Sequence, residues 1–234
     1  MHPTIAVQAN EERRNTSRCE NVAKKYAFNI DAYAIGDIDR EEAEHFIQEG
    51  FKRAYNATVS VTMPWILAIN NGAFKAALGI RPATDTLFLE QYLDNPVEQY
   101  LASTRQIQRS HIAEIGHLYS NSNKFTLPLF LTTAVSLFTN EYKYMVFSAT
   151  EHVLQLISRA GIPHTFLSNA DPARLNTASD NWGSYYDTKP KVVAVSLLDV
   201  MAVVNNHPLY ARMFEQLSSK IAATSKRLQR GGVK

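Results

Sequence analysis

Residues 109–139 read RSHIAEIGHLYSNSNKFTLPLFLTTAVSLFT. The run 111–118 is rich in β-formers and apolar on both faces, which predicts a strand inside a sheet. Glu114 and His117 are its two polar interruptions. Residues 120–124 are small and polar with one cation, which predicts a loop. From Phe125 to Thr139 there is no charge. Such a stretch predicts a helix buried on most sides, with Thr126 as its cap and Pro128 in its first turn. A buried strand feeding a buried helix is the spine of an α/β domain.

Working outward, 26–35 alternates in part and predicts a first strand. Asp39 predicts the start of a helix running to about Tyr55, with Ala43, Phe46, Ile47, Phe51 and Ala54 at helical spacing. Residues 63–70 and 73–80 predict two strands joined at Asn70-Asn71-Gly72, a hairpin turn signal. Residues 87–93 and 96–102 predict short helical or mixed pieces. Beyond the apolar helix, 143–149 predicts a buried strand, and Thr150 and Gly161 bracket a helix. Short strands follow at 165–167 and 191–198, with an aromatic loop WGSYYD at 182–187 between them. Pro208 predicts the start of a final helix. This order predicts an α/β fold: a mixed, mostly antiparallel sheet with helices on both faces.

Composition bounds the function. The chain has 234 residues, 45% of them hydrophobic, enough for one sizeable core. A formal charge of +2, without a basic stripe interleaved with aromatics, predicts no nucleic-acid partner. Cys19 is the single cysteine, which rules out an intramolecular disulfide or a thiolate cage, and no His-rich ligand spacing predicts a metal. The first 25 residues carry Glu11, Glu12, Arg13, Arg14 and Arg18 instead of an apolar run. They predict a flexible arm, not a signal peptide. No run reaches the roughly 18 apolar residues of a transmembrane helix. A cytoplasmic protein is expected.

Several words in order carry a resemblance. LFLEQYLDNPVEQYL at 87–101 and HIAEIGHL at 111–118, then VFSAT at 146–150, ADPARL at 170–175 and WGSYYDTKPKV at 182–192, resemble the thermostable hemolysin family. That resemblance spans 26–198. It implies a GNAT-like fold, distantly similar to acyl-homoserine-lactone synthases, and thioester-dependent acyl transfer. The domain plan it implies is an arm at 1–25, a GNAT-like acyltransferase domain at 26–198 and a C-terminal helical extension at 199–234. A homodimer through the C-terminal helix is left open. The implied reaction moves an acyl group from acyl-CoA, or from a phosphopantetheine-borne donor on an acyl-carrier protein, to a small-molecule acceptor amine. Two other readings stand beside it: a membrane-active haemolysin, and a GNAT-shaped binding protein without catalysis.

The residues themselves suggest a site, and the resemblance also places a Glu in the central strand. Donor binding falls on Ser122, Asn123, Lys124, Phe125 and Thr126, where a helix N-terminus and a cation favour an anion. The loop has no glycine, unlike the Gly-x-Gly/Ala cradle of coenzyme A enzymes, which favours a carrier-borne acyl group. Glu114 is the candidate general base, since a carboxylate inside an apolar strand has its pKa raised, as a base for an amine needs. The bland reading is an ion pair with Arg105 or Arg109. His117, three positions on, is expected on the opposite face of the strand, as a core or rim histidine or, with Trp182 and Arg109, as a substrate-binding residue. Tyr185 and Tyr186 can protonate a leaving thiolate, and Trp182 can line an acyl pocket; the bland reading is a plug over the sheet edge. Arg109, with Arg105, can face an acidic carrier protein or a phosphate.

Overall fold

A computed structural model describes residues 28–84, 86–101, 107–176 and 181–230. The expected arm at 1–25, the start of the first strand and Arg105 lie outside the described residues. Seven strands form one sheet: β1 (Asn29–Ala34), β2 (Trp65–Asn70), β3 (Phe74–Pro82), β4 (Ile112–Ser120), β5 (Tyr144–Ala149), β6 (Thr165–Asn169) and β7 (Lys191–Ser196). Their spatial order is β1-β2-β3-β4-β5-β7-β6. Every neighbouring pair is antiparallel except the central β4–β5 pair. The helices are α1 (Arg40–Tyr55), α2 (Val97–Leu101), α3 (Asn123–Thr139), α4 (Glu151–Arg159), α5 (Leu197–Asn206) and α6 (Pro208–Arg230).

Alternation along the strands sorts apolar side chains to the two faces of the sheet. On one face, Ala43, Ile47 and Phe51 of α1 pack against Ile66, Ala68 and Ala77. On the other, α3 packs against Leu67, Leu78 and Ile115. As expected of an uncharged run, α3 is covered on most sides; Leu129 and Leu131 are fully buried, each worth about 1.5–3 kcal/mol. The cap differs from the expected one. Ser122 Oγ accepts the Lys124 N–H at 3.3 Å, and the helix starts at Asn123. Thr126 lies inside the first turn, where its hydroxyl donates to the Ser122 carbonyl at 3.3 Å. Pro128 is therefore inside the helix, beyond the first turn, and supplies no N–H for the Lys124 carbonyl.

The run at 191–198 also divides. Ser196 Oγ accepts the Asp199 N–H at 3.4 Å and turns the end of β7 into α5, a helix not read from the sequence. Both α5 and α6 join the α3 core, through Val200 and Val204 and through Met213, Leu217 and Ile221. Those α6 side chains are consequently occupied within this chain. Polar groups of α6 fasten it to β1: Lys220 Nζ donates to the Phe28 carbonyl at 2.5 Å, and Thr224 Oγ1 to that of Ile30 at 3.5 Å. Arg227 pairs with Asp37 at 2.6 Å.

Thr132 Oγ1 and Ser136 Oγ are buried on α3 without a hydrogen-bond partner among the described residues. A buried hydroxyl that finds no partner costs more than the methyl that would replace it. Thr132→Val is therefore expected to raise stability by about 1 kcal/mol. A urea midpoint that falls on this substitution would show that the hydroxyl is satisfied.

Candidate active site

The cleft arises from two irregularities of β4. The first is a bulge. Ala77 of β3 pairs with Tyr119 but Gly79 pairs with Gly116, so three steps on β4 oppose two on β3. His117 absorbs the extra residue with a left-handed backbone, φ +53. A bulge resets the in–out alternation. Ile112 and Glu114 share one face, and Tyr119 lies on that same face against Phe46. Leu118 packs on the opposite core. His117 is thus on the Glu114 side of the sheet, contrary to the parity expected from its spacing.

The second irregularity is a divergence. The β4–β5 pairing runs from Ile112↔Tyr144 to Glu114↔Val146 and stops. Beyond it the two strands separate and leave a cavity of about 100 Å³ between them. Phe51, Met63, Phe88 and Trp182 line it from one face, and Phe130 and Phe147 from the other. Glu114 stands at the apex and His117 along the wall.

Glu114 is 3% exposed. Its Oε2 accepts the Phe88 N–H at 3.0 Å and its Oε1 the Leu89 N–H at 2.8 Å. These are the first N–H groups of the single helical turn Phe88–Tyr92. The nearest cation is Arg81, at 3.6 Å, and not Arg109. Burial raises the Glu114 pKa; the two N–H bonds and Arg81 oppose it without cancelling it. Each carboxylate oxygen retains a lone pair beyond the one used by the backbone.

Arg109 is elsewhere. Its guanidinium binds Glu90 at 2.6 and 2.9 Å, Glu98 at 2.7 Å and the Ala83 carbonyl at 2.7 Å. It braces the 83–98 segment and does not line the cavity. Burial acts against the Glu90 carboxylate, but Arg109 and the N–H groups of Val97 and Leu87 hold its pKa below the usual range.

The aromatic loop closes the cleft. Asn181 and Thr58 exchange backbone hydrogen bonds at 2.6 and 3.0 Å. Gly183 has φ +52, and a Cβ there would lie 2.0 Å from the Tyr55 carbonyl oxygen. That close approach lets the Ser184 N–H reach the same carbonyl at 2.8 Å. Trp182 is thereby laid over His117, with ring centroids 6.3 Å apart and planes 19° apart. Tyr185 is buried against Phe51 and Tyr55, its hydroxyl 3.5 Å from Ser148 Oγ. Burial pushes its pKa up. Tyr186 does not line the cavity; its hydroxyl meets that of Tyr92 at 2.6 Å. Tyr92, within the 87–93 piece, is 1% exposed and lines the cavity.

The five donor-binding candidates are not among the residues lining this cavity. Ser122, Asn123, Lys124, Phe125 and Thr126 open α3, beside the first turn of α4, and Asn123 Oδ1 meets His152 Nε2 at 2.9 Å. Two helix N-termini therefore stand together beyond the ends of the parallel strands, a favourable place for an anion. The backbone is less open than a glycine cradle. The Lys124 N–H is held by Ser122 Oγ, and the Phe125 N–H by the Ser122 carbonyl at 2.9 Å. The fit is good for a single phosphate near Lys124 and poor for a pyrophosphate wrapped in backbone N–H groups. Among the described residues no group of His, Cys, Asp and Glu is arranged to hold a metal ion.

A seven-stranded sheet with one parallel pair that parts beside α3 defines the GNAT-like fold. Within that class the chain belongs to the thermostable hemolysin family, whose model, described as "Thermostable hemolysin", matches residues 34–201. Solved structures of similar fold include the acyl-homoserine-lactone synthase LasI, with 14% identity and a TM-score of 0.50 over 73% of this chain and 90% of that one. BjaI, a CoA-dependent acyl-homoserine-lactone synthase solved with SAM and isopentyl-CoA, has 11% identity and a TM-score of 0.52, over 85% and 99%. FeeM, an N-acyl amino acid synthase from uncultured soil microbes, has 12% identity and a TM-score of 0.50, over 78% and 98%. No curated protein sequence matches the chain.

Proposed function

We propose that the protein is an N-acyltransferase that moves an acyl group from a thioester donor to an amine. The observation that carries this reading is the parted β4–β5 pair, with an apolar cavity in the gap and a buried carboxylate of raised pKa at its apex. The similarly folded LasI, BjaI and FeeM, acyl-transferring synthases by their names, support the reaction class. In this reading the acyl chain occupies the cavity and the thioester carbonyl sits between the strands. Glu114 takes a proton from the acceptor ammonium. The freed amine forms a C–N bond to the carbonyl carbon, the C–S bond breaks, and the second nitrogen proton goes to the departing thiolate. Tyr185 and Trp182 exclude water, which strengthens these electrostatic effects. The occupied first-turn N–H groups of α3 favour a donor with one phosphate, as on the phosphopantetheine arm of an acyl-carrier protein, over coenzyme A. Such donors belong to the cytoplasm.

Thermal shifts with acetyl-CoA, longer acyl-CoAs and acyl-carrier proteins test the reading. Stabilisation by acyl-loaded donors over their free thiols is expected; a flat panel would overturn it. Lys124→Ala is expected to weaken donor binding about 2- to 5-fold at low salt, the scale of one cation beside a helix N-terminus. Unchanged affinity for every donor would place the phosphate elsewhere.

The literal haemolysin reading makes the opposite prediction. No helix of the described residues is long and apolar enough to cross a membrane. At about 1.5 Å per residue α3 falls short of a hydrocarbon core of roughly 30 Å, and most of its apolar side chains are already covered. Purified protein is expected to release no dye from lipid vesicles without an acyl substrate. Rapid release by the protein alone would favour the membrane-active reading over the enzyme.

A further inference from the structure

Gly79 of β3 and Gly116 of β4 are direct cross-strand partners. Two facing glycines leave a trough in the sheet, and the Met63 side chain fills it. A Cβ at Gly79 would lie 2.3 Å from Met63 Cγ, and one at Gly116 2.2 Å from Met63 Cε. Met63 is 2% exposed and also lines the cleft cavity. Its backbone is fixed: Arg40, itself buried, donates to the Met63 carbonyl at 2.6 Å and to the Pro64 carbonyl at 3.1 Å. A rigidly mounted backbone thus carries an unbranched thioether, the most adaptable of apolar side chains, against the wall of the cleft cavity.

We propose that Met63, seated on the Gly79–Gly116 trough, is the end-stop of the acyl pocket and restricts the protein to short acyl chains. This deepens the acyltransferase reading and rests on it for the word acyl; the length selection itself rests on the cavity alone. The cavity is about 100 Å³ and is partly open. An apolar cavity of roughly 150 Å³ holds a six-carbon ring, so this one holds about four carbons. Truncating Met63 removes side-chain atoms lying along the trough and lengthens the pocket by about three carbons. Placing a methyl on Gly116 acts in the opposite sense. Among the described residues, only Met63 atoms come within 4 Å of that methyl, so the thioether must move into the cavity.

The test uses straight-chain acyl-CoAs of two to twelve carbons and 1-alkanols of the same lengths, titrated by thermal shift and saturation-transfer NMR. Wild-type protein is expected to bind best at about four carbons, and Met63→Ala at about seven, with a gain of about tenfold or more for the longer chain. Gly116→Ala is expected to weaken binding of the four-carbon probes, and to have little effect in the Met63→Ala background. That last comparison holds even if a single variant loses stability, because it reads coupling between two residues. Identical length profiles in wild type and Met63→Ala, or an equal effect of Gly116→Ala in both backgrounds, would overturn the proposal. So would a wild-type preference for chains of eight carbons or more. Length selection among alkanols without acyl transfer would leave the end-stop standing and sink the transferase reading. Acyl transfer with an unshifted profile would do the reverse.

Discussion

Glu114→Gln is expected to slow acyl transfer about 100-fold or more, the scale of a lost general base. It is also expected to cost about 1–3 kcal/mol of stability. Both effects follow from the geometry. The two carboxylate oxygens accept the N–H groups of Phe88 and Leu89. An amide offers one oxygen and turns an NH₂ toward the other backbone donor. Turnover is therefore measured well below the variant's melting temperature, beside a urea titration. Wild-type turnover should rise with pH through the raised Glu114 pKa, and the variant's should not. A folded variant with wild-type turnover would reduce Glu114 to an anchor for the Phe88–Tyr92 turn.

Gly183→Ala is expected to be the most damaging single-methyl substitution of the loop that roofs the cleft, costing about 2–4 kcal/mol. The added Cβ would lie 2.0 Å from the Tyr55 carbonyl oxygen and 2.8 Å from the Asn56 carbonyl carbon, both backbone atoms that cannot swing aside. The loop must lift, taking Trp182 from His117 and weakening binding of acyl probes. Gly36→Ala is the control. Gly36 also has positive φ, but nothing lies within 4 Å of the new methyl, so backbone strain alone applies, about 1 kcal/mol. Equal losses at the two positions would show that the loop does not depend on the contact with Tyr55.

The strand–loop–helix spine was legible because 111–118 and 125–139 are long apolar runs with an unmistakable polar break between them. What failed was local bookkeeping. Counting odd and even positions set His117 opposite Glu114, and nothing in the letters G-H-L declares the extra residue that reverses the count. KVVAVSLL reads as one apolar run, and only the Ser196 cap shows that its end belongs to a helix. The partner of Glu114 was sought among nearby arginines. It came instead from Arg81 and from the backbone of residues 88 and 89, groups that only β3–β4 pairing and the fold of the 83–98 segment bring within reach. The cleft itself was invisible for the same reason: it is made by two strands ceasing to pair.

The fastening of α6 to β1 also sets a timetable. Asp37 and Arg227, which pair at 2.6 Å, are 190 residues apart in the chain. At about 5–20 residues per second, a ribosome releases the second partner roughly 10–40 s after the first. Throughout that interval β1 is outermost among the described strands, and the carbonyls of Ile30 within it and Phe28 before it have not yet met Thr224 and Lys220. Unclaimed strand edges recruit other chains. The growing polypeptide is thus most exposed to aggregation late in its synthesis, with nearly all of its sheet already made, and its safety then depends on how soon one amphipathic helix arrives.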